Sequence, residues 1–111
     1  MGNDTVQREK AYLALYDKRV ALSRYSQILL KKTAQDPDLV NIEHGRARIE
    51  IELVFAIMSE MANNRPMKFP DDPTIHALAA DVAKLTQLVN ANAGLNELIE
   101  AGDALIDAWP N

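Results

Sequence analysis

Glu43, Arg46 and Glu50 stand three and four residues apart, the spacing that lines side chains up on one helix face and lets Glu–Arg pairs form. If water is excluded from that line, both carboxylates need a cation. Arg46 can supply it, or a base on a neighbouring helix such as Arg19. Two chemistries fit this arrangement. One is a ladder of ion pairs that fixes the register of two helices. The other is an anion pocket between helices one and two, where Arg19, Arg46, Glu50 and the hydroxyls of Tyr12 and Tyr16 hold a carboxylate or a phosphate.

Two further groups suit protein contacts. Glu97, Glu100, Asp103 and Asp107 form an acidic line opposite Leu95, Leu98, Leu105 and Trp109; it serves as a solvated face or as a docking strip for a basic protein. Met67 and Phe69 are apolar residues inside the polar connector RPMKFPDD. Such a pair folds back to cap the bundle or, if exposed, suits a partner's groove.

Other chemistries lack their residues. The chain has no Cys, which removes thiol catalysis, disulfides, iron–sulfur clusters and Cys-ligated zinc. No Gly-x-Ser-x-Gly elbow surrounds Ser23, Ser26 or Ser59, and no Gly-rich phosphate loop occurs. A helical carboxylate di-metal site needs Glu three residues before His, and neither His44 nor His76 has it. No metal and no cofactor are expected.

With 111 residues, 48% hydrophobic and 25% charged, the composition is that of one globular domain spanning 1–111. The net charge of −4 hides an asymmetry. Residues 1–35 carry seven bases against three acids, 36–64 six acids against two bases, and 73–111 five acids against Lys84. The basic pairs Lys31/Lys32, Arg46/Arg48 and Arg65/Lys68 are scattered in a chain with a pI near 5.1. Phosphate backbones require a clustered basic face, so direct nucleic-acid binding is not expected, and only the basic first helix speaks for it. The opening MGNDTVQREK is polar, so no secretory leader is expected. The longest uncharged apolar run is Leu53–Ser59, far short of the roughly 20 residues a membrane span needs. Cytoplasmic residence is the expectation.

Four segments must position these groups. Asp4 can cap a first helix that runs without Gly or Pro to about Ala34. Asp36-Pro37-Asp38 is a helix start with a capping Asp and Pro at the first position, and this second helix runs to about Asn64. Asp72-Pro73 repeats the signal, with Asp72 as cap, for a third helix carrying Ile75, Leu78, Val82, Leu85 and Val89. The pattern weakens around Asn90–Gly94 before a short fourth helix, which either stands alone or fuses with the third. Arg48–Leu53 alternates like a strand, but it has no partner strand and its neighbours favour helix. The fold expected is all-α: an antiparallel bundle of three to four helices with a long N-terminal helical hairpin.

The first two helices are apolar over more of their circumference than one neighbour requires. Leu15, Leu22 and Leu29 form one stripe, and Tyr12, Tyr16 and Leu30 the next, with Leu13 and Val20 beyond. On helix two, Ile42, Ile49, Leu53 and Ile57 lie on one side, and Val40, Ile51, Phe55 and Met58 on another. A bundle this small has room for one centrally buried helix, so the surplus implies a second chain. The function expected is therefore a small cytoplasmic interaction factor of adaptor, chaperone, immunity or inhibitor type, acting as a homodimer. The alternatives are a helical enzyme using the anion pocket and a nucleic-acid regulator using the first helix.

Overall fold

The computed structural model describes residues 2–110, with side chains from residue 5 onward. It is a bundle of four helices: α1 (Gly2–Lys31), α2 (Pro37–Ala62), α3 (Asp72–Asn90) and α4 (Leu95–Asp107). Among the described residues there is no strand; Arg48–Leu53 is helical, and α3 and α4 are separate. Among the described residues, no helix is long and apolar enough to cross a membrane.

Local chemistry explains the boundaries. Asp36 caps α2 by accepting from the Leu39 N–H at 3.2 Å, with Pro37 at the first position. The cap of α3 is Asp71, not Asp72. Asp71 accepts from the Thr74 N–H at 3.0 Å and the Thr74 hydroxyl at 2.6 Å, bonds that hold its carboxyl below the ordinary range. Asp72 is left free to receive Gln7 and Lys10. α1 starts at Gly2, two residues before Asp4, whose side chain lies outside the described residues. It ends at Lys31, short of Ala34, where the chain turns to meet Asp36. α2 and α3 both close on an asparagine in the left-handed region, Asn64 (φ 56°) and Asn92 (φ 51°). The Arg65 N–H returns to the Glu60 carbonyl and the Ala93 N–H to the Leu88 carbonyl, the pattern of a Schellman cap.

α1 is the central helix. It meets α2, α3 and α4, while α2 and α3 do not touch. The buried seam of α1 runs through Ala11, Leu15, Lys18, Leu22, Tyr25 and Leu29, alternating by four and three, with buried Ala21 and Ser26 beside it. Those of α2 are Val40, Glu43, Ala47, Glu50, Val54, Met58 and Met61, on nearly the same rhythm. Two such seams pack antiparallel in the manner of a coiled coil. The Lys18–Glu50 pair fixes the register. α3 lies along the other flank of α1, tied by Lys10–Asp72 at one end and Arg24–Asn90 (2.6 Å) at the other. α4 covers the groove above α1 with Leu95, Leu98, Ala101, Leu105 and Ile106. The body measures 51 × 21 × 17 Å, and the hairpin sets its long axis.

Candidate functional site: an apolar outer surface over a buried polar seam

Two features stand apart from ordinary bundle packing. The first is a polar seam inside the α1–α2–α4 interface. Lys18, fully buried, donates to the Glu50 carboxylate at 2.8 Å and to the carbonyls of Ile106, Ala108 and Trp109 at 3.4, 3.3 and 3.2 Å. One ammonium thus neutralises an α2 carboxylate and caps the C-terminal end of α4, where unpaired carbonyls and the helix dipole favour a cation. Burial pulls the Lys18 pKa below its ordinary range, against the opposing pull of Glu50.

Two turns along, Tyr25 lies across α4 at Gly102, where a Cβ would overlap the Tyr25 ring. The Tyr25 hydroxyl has no hydrogen-bond partner, and burial beside Glu43 pushes its pKa up. Glu43 is itself buried. Arg46 sits 3.5 Å from Glu43 and 2.6 Å from Asp103, and reaches the exposed Asp107 at 3.5 Å. Burial and the adjoining Asp103 carboxylate raise the Glu43 pKa to about 7. As an ionised group, its Oε2 faces no donor. Once protonated, it shares that proton with Asp103.

This proton makes stability depend on pH. Glu43 holds its proton more tightly folded than unfolded, where its value is 4.5. Its contribution is fully present below about 4.5 and is lost as pH rises through about 7. The swing is on the order of 3 kcal/mol. Glu43→Gln, which keeps a donor toward Asp103 at every pH, is expected to stabilise the fold at pH 8 by about that amount and to leave pH 5 unchanged. Urea melts at the two pH values check this, and an unaltered pH slope contradicts the assignment.

The residues proposed for an anion pocket are not gathered into one. Arg46 turns to α4, and Glu50 takes Lys18 rather than Arg46 or Arg19. Arg19 lies over the Phe55 ring, 4.9 Å from its centroid. Tyr12 and Tyr16 are exposed on the outer side of α1. The bases of α1 are also dispersed. Lys18 is buried, as is Lys32 just past the helix, Arg8 donates to the Met61 carbonyl and Asn64, Lys10 meets Asp72, and Arg24 meets Asn90. Among the described residues, no group of three or more acidic or His side chains is placed to hold a metal ion.

The proposed partner residues divide. Asp103 and Asp107 are engaged by Arg46, while Glu97 and Glu100 remain exposed. Met67 and Phe69 fold back on the end of the hairpin against Ala11, Leu15, Val54, Met58 and Met61, and Arg8 covers Phe69 at 5.1 Å. They form a cap for that end of the core.

The second feature is the outer surface of the hairpin. Val6, Tyr12, Leu13, Tyr16, Val20 and Leu30 of α1 are exposed, as are Ile42, Ile49, Leu53 and Phe55 of α2; Ile49 is 70% exposed. Among the described residues, all the large exposed hydrophobic side chains belong to these two helices. Those of α1 lie on the side away from Lys18, and those of α2 flank its outward face. The apolar surplus of these helices is therefore not internal. No family model matches the chain, and comparison with curated proteins and with solved structures gives no similar protein.

Proposed function

We propose that this protein is a small cytoplasmic interaction factor that acts by binding protein through the outer surface of the α1–α2 hairpin, and that it associates with a second copy of itself. The observation that carries this reading is the confinement of the large exposed hydrophobics to those two helices. Single apolar side chains on a surface are ordinary, but a run of them along one hairpin marks a surface meant to be covered. The polar seam fits the same reading as an internal scaffold. Its charges are spent on fixing how α4 and α2 sit on α1. It holds the hairpin rigid, so the outer surface is presented in one shape.

Paired substitutions test this. Leu13→Glu with Tyr16→Glu alters the α1 surface, and Ile49→Glu with Leu53→Glu alters the α2 surface. All four positions are exposed, so each variant is expected to melt within about 1 kcal/mol of the parent. At least one pair is expected to reduce the solution mass to that of the 12.3 kDa chain. If both pairs leave association unchanged, the outer surface is not the contact.

A further inference from the structure

The outward face of α2 carries an apolar strip with an unusual internal order. At 100° per residue, Gly45, Ala56, Ile49, Ile42 and Leu53 fall within an arc of about 80°. Ile42, Ile49, Leu53 and Ala56 are exposed, and Gly45 is half-exposed. Gly45 has nothing within 4 Å of where a Cβ would stand. A glycine in the middle of a helix weakens it, and no neighbour within this chain requires its small size. Another helix approaching closely from outside would require it.

The charges beside the strip are arranged in opposite order along the helix. Arg48 precedes its midpoint and Glu52 follows it, both on the same rim and both exposed. Among the described residues, neither is paired with a charge of its own chain. Such a sequence of signs repels itself in parallel and complements itself when reversed.

We infer that two copies of this chain pair through α2 laid antiparallel on α2 about a twofold axis. This deepens the proposed protein-binding role of the hairpin and rests on it. In the register that sets Ile49 against Leu53 of the other copy, Gly45 meets the other copy's Ala56 and lets the backbones approach. Arg48 of each copy reaches Glu52 of the other. Residues equivalent under a twofold axis meet the same surface in reverse, which is why one helix supplies both halves. From Ile42 to Glu60 the strip is about 27 Å long, at 1.5 Å per residue. A contact between two helices over that length lies at the low end of stable interfaces, so the dimer dissociates on dilution.

The test uses full-length chains and sedimentation velocity over a concentration series. Arg48→Glu alone and Glu52→Arg alone each bring like charges together at two symmetric places, and each is expected to weaken self-association about tenfold. An equimolar mixture of the two variants restores opposite charges at both places. It is expected to associate as tightly as the parent. Gly45→Ala is expected to raise the melting temperature of the chain while weakening the dimer, an opposition of sign that an exposed glycine without a partner does not produce. If the single variants associate as the parent does, or if their mixture fails to recover, the antiparallel α2 pairing is overturned while the wider binding role stands. A parent chain that is monomeric throughout overturns both.

Discussion

Lys18→Ala is expected to destabilise the fold by about 3–5 kcal/mol. Total stability for a domain of this size is ~5–15 kcal/mol, and the melting temperature should fall by roughly 10–20 °C. The cost has two sources. Glu50, 4% exposed, loses the Lys18 ammonium at 2.8 Å, and the carbonyls of Ile106, Ala108 and Trp109 lose the bonds that Lys18 donates. The double variant Lys18→Met with Glu50→Leu separates them. It removes both charges and keeps most of the volume, so the ion-pair part of the loss is recovered. The carbonyl part, about 1–2 kcal/mol, is not. Full recovery in the double variant would show that Lys18 serves Glu50 alone. Paired urea melts of the parent, single and double variants give these differences.

Gly102→Ala is expected to cost about 2–4 kcal/mol, although alanine is the better helix former. The side chain it introduces would occupy the space of the Tyr25 ring, which is fully buried and must shift to admit it. Tyr25→Phe, by contrast, removes a hydroxyl that has no partner and is expected to be neutral or mildly stabilising. The contrast with Gly45, where the same Gly→Ala change meets open space within the chain, makes the prediction specific to the α1–α4 crossing. A Gly102→Ala variant as stable as the parent would mean that α4 does not approach α1 this closely.

Much of the architecture is legible in the residues. Two Asp-Pro steps announce α2 and α3, the three–four spacing of Leu78 and Leu85 marks the buried side of α3, and Leu95, Leu98 and Leu105 mark that of α4. The desolvation of Glu43 and Glu50 is legible too, because they fall in step with Val40, Ala47 and Val54. Their partners are only half so. Arg46 lies three residues from Glu43 and four from Glu50; it pairs with Glu43 as the spacing allows, but its second partner is Asp103, 57 residues away, because α4 approaches on that side. The cation of Glu50 is Lys18, whose signal was present: it occupies the fourth-and-third rhythm of Ala11, Leu15, Leu22 and Leu29. Arg19, one residue on, is rotated out of that seam and stacks on Phe55. The cap of α3 shows the same limit on a smaller scale. In Asp71-Asp72-Pro73 either acid can cap, and the approach of Gln7 and Lys10 from α1 draws Asp72 away. Composition along one helix shows which groups are buried; only the packing of a distant segment decides what they meet.

The outer surface of the hairpin follows from the same arithmetic. α1 and α2 carry more apolar arc than three neighbouring helices can cover, and the remainder faces outward. The most direct measurement of what covers it is the solution mass of the parent chain by light scattering, from micromolar to millimolar concentration. The account predicts a rise from the 12.3 kDa chain toward twice that mass as concentration increases. A mass that stays at 12.3 kDa across the whole series would contradict it.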